Sequence, residues 1–241
     1  MHIAARESGS MKTIFTFTAI ACFIATFAYG ALSKDEVKRL REGGAILTEL
    51  RQSPDKSIPD ELWKRAECVV VLPSVKKGAL IVGGEYGSGV MSCRTSKTWS
   101  NPIFMQLAKG SVGLQIGGQQ TDLVLLVMNR RGLNKLLEDK VSLGADASLA
   151  AGPVGRSASA ATDAQLHAEI LSYSHSSGLL AGIDLSGGVL RPDKDADARA
   201  YGPGVMPREV VDGERGLLSP AAARPFLEAL AAEVDHPAAN N

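Results

Sequence analysis

Cys68-Val69-Val70-Val71-Leu72, then Ala79-Leu80-Ile81-Val82, then Gly83-Gly84-Glu85-Tyr86-Gly87-Ser88 running into Gly89-Val90-Met91-Ser92-Cys93, is the stretch whose reading decides the fold. Runs of four or five β-branched or apolar residues bounded by glycine read as strands. The same texture continues at Ile103 to Leu107, Ser111 to Ile116, Thr121 to Val127, Val141 to Ala151, Ala168 to Ser174, Leu179 to Leu185 and Gly188 to Leu190. Strands that follow one another without regular intervening helices predict antiparallel pairing. Glycine beside or inside them, as at Gly83, Gly84, Gly87, Gly89, Gly117, Gly118, Gly152, Gly182 and Gly188, permits bulges and sharp bends. The expectation is an α+β fold: a strongly curved, mainly antiparallel, glycine-rich sheet, barrel-like or sandwich, with N-terminal, central and C-terminal helices packed on it.

The helices announce themselves at three places. Ser33-Lys34-Asp35-Glu36 is a capping box, and Val37, Leu40, Leu47 and Leu50 recur behind it at helical spacing to about Arg51. Gly43-Gly44 makes the middle of that helix either weak or closely packed. Pro59-Asp60-Glu61 starts a short helix through Arg65. Asn129 to Lys140 places Leu133, Leu136 and Leu137 on one face, and Ser219-Pro220 opens a last helix with Ala222, Phe226, Leu227 and Leu230 inward.

Upstream of Ser33 the chain has a different character. Met11-Lys12-Thr13, the apolar run Ile14 to Phe27 and Ala28-Tyr29-Gly30 before Ala31 have the three-part layout of a bacterial secretory signal peptide, with cleavage expected after Gly30. Ala19-Ile20-Ala21-Cys22 also resembles a weak lipobox, which would make Cys22 a lipidated terminus. An uncleaved membrane anchor is the third reading, although the run is shorter than a span of roughly 20 residues. The organisation expected is an extension plus signal over residues 1–30, one domain over 31–235 and a tail over 236–241. Location follows as periplasm or cell envelope, with an outer-membrane lipoprotein as the variant through Cys22.

Composition excludes several classes. The chain holds 26 Lys+Arg and 26 Asp+Glu, and removing residues 1–30 leaves a net charge of about −1, so no global pull toward nucleic acid exists. Gly83 to Gly89 lacks the Gly-Lys-Ser/Thr ending of a phosphate loop and the helix of a dinucleotide fingerprint. No G-x-S-x-G elbow is present, and Ser174 and Ser176 flank His175 on a strand, which sends them to the opposite face from it. His167, His175 and His236, with Cys68 and Cys93, have no metal-ligand spacing. The reading is non-enzymatic, with no cofactor and no metal. Export permits a Cys68–Cys93 bridge, while buried free thiols are the commoner use of such a pair.

Several segments taken in order resemble the SYLF domain. They are Ala66 to Pro73, Gly83 to Val90, Trp99-Ser100-Asn101-Pro102, Gly113 to Gln119 followed by Asp122, Ala151 to Gly155, Tyr173-Ser174-His175-Ser176-Ser177-Gly178-Leu179-Leu180-Ala181-Gly182, and Tyr201-Gly202. Their spacing covers about residues 34 to 203. The resemblance implies binding to membrane phospholipid, with phosphoinositides and in some cases actin as the ligands of eukaryotic members, and an amphipathic N-terminal helix as part of the lipid-binding surface. Ser177 stands where the family pattern has a basic residue, and an exported protein would not meet actin.

The function expected is therefore a cell-envelope protein that binds phospholipid or anionic membrane surfaces peripherally. The residues expected to carry it are Lys34, Val37, Lys38, Leu40 and Arg41 on the first helix and Lys76 and Lys77 beside it, a basic and apolar combination suited to an anionic surface. A protein-interaction module of the envelope is the alternative, and a hydrolase, which would need His175 beside a serine and an acid, is the third.

Overall fold

The computed structural model describes residues 32–52, 57–79, 82–96, 98–112, 119–155 and 162–234. Its helices are α1 (Lys34–Arg51), α2 (Asp60–Arg65), α3 (Arg130–Leu136), α4 (Asp163–His167), α5 (Lys194–Tyr201), α6 (Pro207–Val211) and α7 (Arg224–Val234). Its strands are β1 (Cys68–Ala79), β2 (Val82–Cys93), β3 (Ile103–Val112), β4 (Gln119–Val127), β5 (Val141–Ser142), β6 (Leu149–Ala151), β7 (Ile170–Ser176), β8 (Leu179–Gly182) and β9 (Gly188–Pro192). They form one curled sheet in the order β5-β9-β3-β2-β1-β4-β7-β6, with β8 also on β7. Every pairing is antiparallel except β6 with β7. This is the expected α+β class.

Strand alternation divides the core between the two faces of the sheet. Val69, Val71, Val90, Phe104, Val124, Leu126, Leu171 and Tyr173 lie on one face, under α1, α2 and α7. Val70, Leu72, Met91, Ile103, Met105, Leu107, Leu123, Leu125 and Leu190 lie on the other, under α3, α6 and Tyr201 of α5. A sheet covered on both faces explains why Cys68 to Leu72 reads as an unbroken apolar run rather than an alternating one.

The strands are longer than their apolar runs. Ser74 to Gly78 and Gly83 to Ser88 look like breaks in sequence, yet they continue β1 and β2. At Pro73-Ser74 the register of β1 shifts against both neighbours, with Ser74 at φ 51° and its N–H donated to Asp122 Oδ1 at 2.8 Å. This bulge bends the strand and sets Leu72 and Val75 on the same face. Val141 to Ala151, expected as one strand, is two short ones separated by a turn at Leu143–Ala147. Helices α4, α5 and α6 were not anticipated, although Asp193 capping Ala196 N–H is an ordinary start signal. The Ser111 to Ile116 run lies partly outside the described residues, and the signal-like segment lies wholly outside them.

Cys68 and Cys93 are direct partners across β1 and β2 and form a disulfide. The commoner reading, two free thiols, is thereby corrected, because pairing register rather than sequence spacing brings the sulfurs together. The closed loop has a sequence separation of 25, for which chain entropy gives about 3 kcal/mol. Reduction under native conditions is expected to lower the melting temperature measurably. Identical melting of oxidised and reduced protein would contradict the bridge.

Candidate functional site

Helix α1 begins with the expected capping box: Ser33 Oγ accepts the Glu36 N–H at 3.4 Å, and Glu36 Oε2 accepts the Ser33 N–H at 2.5 Å. Apart from Val37, which faces solvent, its apolar stripe is turned into the protein. Leu40 and Leu47 are fully buried, with Ile46 and Leu50 beside them. At Gly43 and Gly44 α7 crosses closely, since a Cβ on Gly44 would stand 3.1 Å from Pro225 O and 3.2 Å from Phe226 Cα. The double glycine is thus a packing contact between two helices rather than a weak point.

Polar ties reinforce this docking. Glu36 is 1% exposed and receives Arg199 Nε of α5 at 2.7 Å, while Arg39 Nη1 donates to Asp193 Oδ2 at 2.7 Å. Burial tends to raise both carboxyls, but the bonds from Arg199 and Ser33 to Glu36, and from Arg39, Gln106 and Ala196 to Asp193, outweigh it and hold both below the usual carboxylate range.

The opposite side of α1 is what solvent sees. Lys34, Val37, Lys38 and Arg41 are exposed at i, i+3, i+4 and i+7, one continuous strip. Val37 is the apolar member, and Lys38 has only a loose partner in Glu42 at 3.8 Å. Among the described residues Lys34 and Arg41 have no ion pair. Leu40 does not belong with them: its place in the core removes it from any membrane contact, since it points about 110° from the centre of the strip and about 60° from Val37 at the strip's edge. Lys77 is likewise committed, to Glu85 at 3.1 Å, and partly buried. Lys76 is exposed on β1 beyond the bulge, opposite Tyr86, and no hydrogen bond or ion pair ties it to α1.

A groove of about 620 Å³ opens beside α1 on the same face of the sheet. Tyr86, Gln106, Ala108, Val189 and Arg191 line its floor, and Asp139, Lys140 and the Pro192–Asp195 segment its sides. Gln106 and Arg191 are cross-strand partners, and Gln106 Oε1 accepts from Arg191 Nε at 3.2 Å and Nη2 at 2.9 Å. Gln106 also donates to Asp193, which holds Arg39. Neither Gln106 nor Arg191 was picked out from sequence. The available signal was a single polar residue interrupting each apolar strand.

His175 is buried between two carboxylates, with Nε2 3.5 Å from Glu49 Oε1 and Nδ1 3.6 Å from Asp122 Oδ2. Among the described residues no serine hydroxyl bonds to it, and Ser174 Oγ instead donates to Ala181 O. His175 therefore has acids but, among the described residues, no serine hydroxyl beside it. Among the described residues no helix is long and apolar enough to cross a membrane.

A family model described as "Ysc84: Las17-binding protein actin regulator" matches residues 108–233. The chain is 32% identical over 203 residues to the SH3 domain-containing protein PJ696.02 of Schizosaccharomyces pombe, covering 80% of this chain and 46% of that protein. It is 32% identical to the protein YSC84 of Saccharomyces cerevisiae, over 73% of this chain and 38% of that one. It is 30% identical to the SH3 domain-containing YSC84-like protein 1 of Xenopus laevis, over 82% and 58%. The chain spans about half the length of these curated relatives.

Proposed function

Since the chain belongs to the Ysc84/SYLF domain family, we propose that it is a non-enzymatic binding domain that docks peripherally on anionic phospholipid surfaces through the exposed strip Lys34, Val37, Lys38 and Arg41, with Lys76 as an outlying contact. The observation that carries this is the division of α1 into a buried apolar side and a cationic outer side with uncommitted charges. Docking with the helix in place is favoured over its release. Exposing Leu40, Ile46, Leu47 and Leu50 would cost about 6–12 kcal/mol, comparable to the whole stability of a domain.

Each cation near an anionic surface contributes about 1 kcal/mol. The triple variant Lys34→Glu, Lys38→Glu, Arg41→Glu is therefore expected to lose more than ~100-fold in affinity for phosphatidylserine vesicles in co-sedimentation, with wild-type binding falling as salt rises. Leu40→Asp is unsuitable as a test because it would unfold the core. If folded wild-type protein ignores anionic vesicles at low salt, the proposal is wrong.

The family description favours a second reading, a module that binds an actin-regulatory partner. Co-pelleting with actin filaments in the absence of lipid would support it. Export to the cell envelope is part of the same proposal. The Met11 to Gly30 pattern and the Cys68–Cys93 bridge, which suits an oxidising compartment, support it. Mass spectrometry of the mature terminus distinguishes Ala31 from a lipidated Cys22, and finding neither in envelope fractions would count against export.

A further inference from the structure

The groove beside α1 has a guanidinium already positioned for an anion. Arg191 is held through Nε and Nη2 by Gln106 Oε1, which leaves Nη1 free to donate. Fixing a side chain of this flexibility beforehand lowers the ordering cost of binding. The groove is electrically balanced, however. Lys140, Arg191 and Lys194 stand against Asp139, Asp193 and Asp195. Lys194 is bonded to Asp139, and Asp193 is occupied by Arg39, Gln106 and the first turn of α5. Arg191 and Lys140 against Asp195 remain, one positive charge in excess. That suits a monoanion and opposes a polyphosphate, whose several negative charges a single excess positive charge beside Asp195 would not balance.

The other lining groups say what the monoanion would carry. Tyr86 is 52% exposed, and its hydroxyl accepts from Ser88 Oγ at 3.3 Å while keeping its own proton to donate. Asp195 can accept from a hydroxyl, and Ala108, Val189 and Pro192 give an apolar floor. A concave site of this size with a few convergent polar groups is the usual form of a small-ligand pocket.

We propose that this groove receives the head of a phospholipid whose phosphodiester carries one negative charge and bears free hydroxyls, as a glycerol head does, with Arg191 on the phosphate and Tyr86 and Asp195 on the hydroxyls. The proposal rests on the membrane-docking reading, and the chain Arg191–Gln106–Asp193–Arg39 connects the groove to the helix that would meet the surface.

The test compares vesicles of phosphatidylcholine containing equal fractions of phosphatidylglycerol or phosphatidylserine, which match in charge but not in hydroxyls. Wild type is expected to prefer phosphatidylglycerol about fivefold, the worth of one or two additional polar contacts. Arg191→Gln and Tyr86→Ala should each remove the preference and keep the salt-dependent binding that the α1 triple variant abolishes. Unchanged melting temperatures guard against misfolding. A second arm titrates soluble glycerophosphoglycerol and follows chemical shifts, with binding expected in wild type and not in Arg191→Gln. Equal affinity for both vesicle types overturns the groove proposal while leaving membrane docking intact. Binding to neither vesicle removes the docking reading. Soluble binding alone would then overturn the lipid as the source, and the absence of shifts would overturn the pocket itself.

Discussion

Gly89→Ala is expected to abolish folding, leaving insoluble protein or a chain without a cooperative melt. A Cβ at this position would lie 1.9 Å from Val71 O and 2.7 Å from Leu72 Cα, both backbone atoms of the neighbouring strand. Rotation of a side chain cannot relieve such a contact, so β1 and β2 would have to separate where the Ser74 bulge begins. Those two strands sit at the centre of the sheet and contribute to both cores. The cost is above about 5 kcal/mol, a large share of a domain's stability. Gly110→Ala on β3 is the control: nothing lies within 4 Å of its Cβ, and the change should fall within about 0.5 kcal/mol. Soluble Gly89→Ala protein with a near-native melt would contradict the close approach of β2 to β1 at this residue.

Asp197→Asn is expected to stabilise the protein, increasingly so toward alkaline pH. Asp197 is fully buried on α5, with Oδ1 accepting the Phe104 N–H at 2.8 Å and Oδ2 without a partner among the described residues. Burial pushes the acid up to about 8, against the lowering effect of the Phe104 bond and with a further push from Asp193. The unfolded chain gives up this proton near 3.8, so the native state binds it more tightly between 3.8 and 8. Stability from this site therefore falls by on the order of 1 kcal/mol per pH unit across that window and levels off above it. Asparagine keeps the acceptor for Phe104 and removes the titration. At pH 8 the variant should melt on the order of 10–20 °C higher, converging with wild type below about pH 4. Parallel pH profiles for the two proteins would refute the assignment. Glu36 and Asp193 act in the opposite sense: being lowered, they contribute stability above the ordinary carboxylate range and lose it as pH falls. Because both proteins share them, the difference isolates Asp197.

Much of the architecture was legible because it rests on local rules. The capping box at Ser33, the Phe226 and Leu230 face of α7 and the strand runs from Cys68 to Val127 are all signalled by residues close in sequence. Where the reading fell short, the cause was a distant partner. Lys76 and Gly83 to Ser88 look like loop residues, but backbone bonds from both neighbouring strands keep them extended. Asp193-Lys194-Asp195-Ala196 is too polar to suggest a helix with a core face, yet Ala196 and Asp197 are buried by what packs on them.

The candidate site divides in the same way. The positive strip on α1 follows from the 3.6-residue period, and the order of motifs identified the family. Sequence by itself therefore determined the α+β class, the curled antiparallel sheet, helices α1, α2, α3 and α7, and which helix carries the charges. Only the tertiary structure decided that Leu40 faces inward while Val37 faces out, that Lys77 is neutralised by Glu85, that Cys68 meets Cys93, and that Gln106, Arg191 and Asp193 converge beside α1. Periodicity fixes which residues share a side of an element. Which side meets the core depends on strand register and on helices that cross from far along the chain.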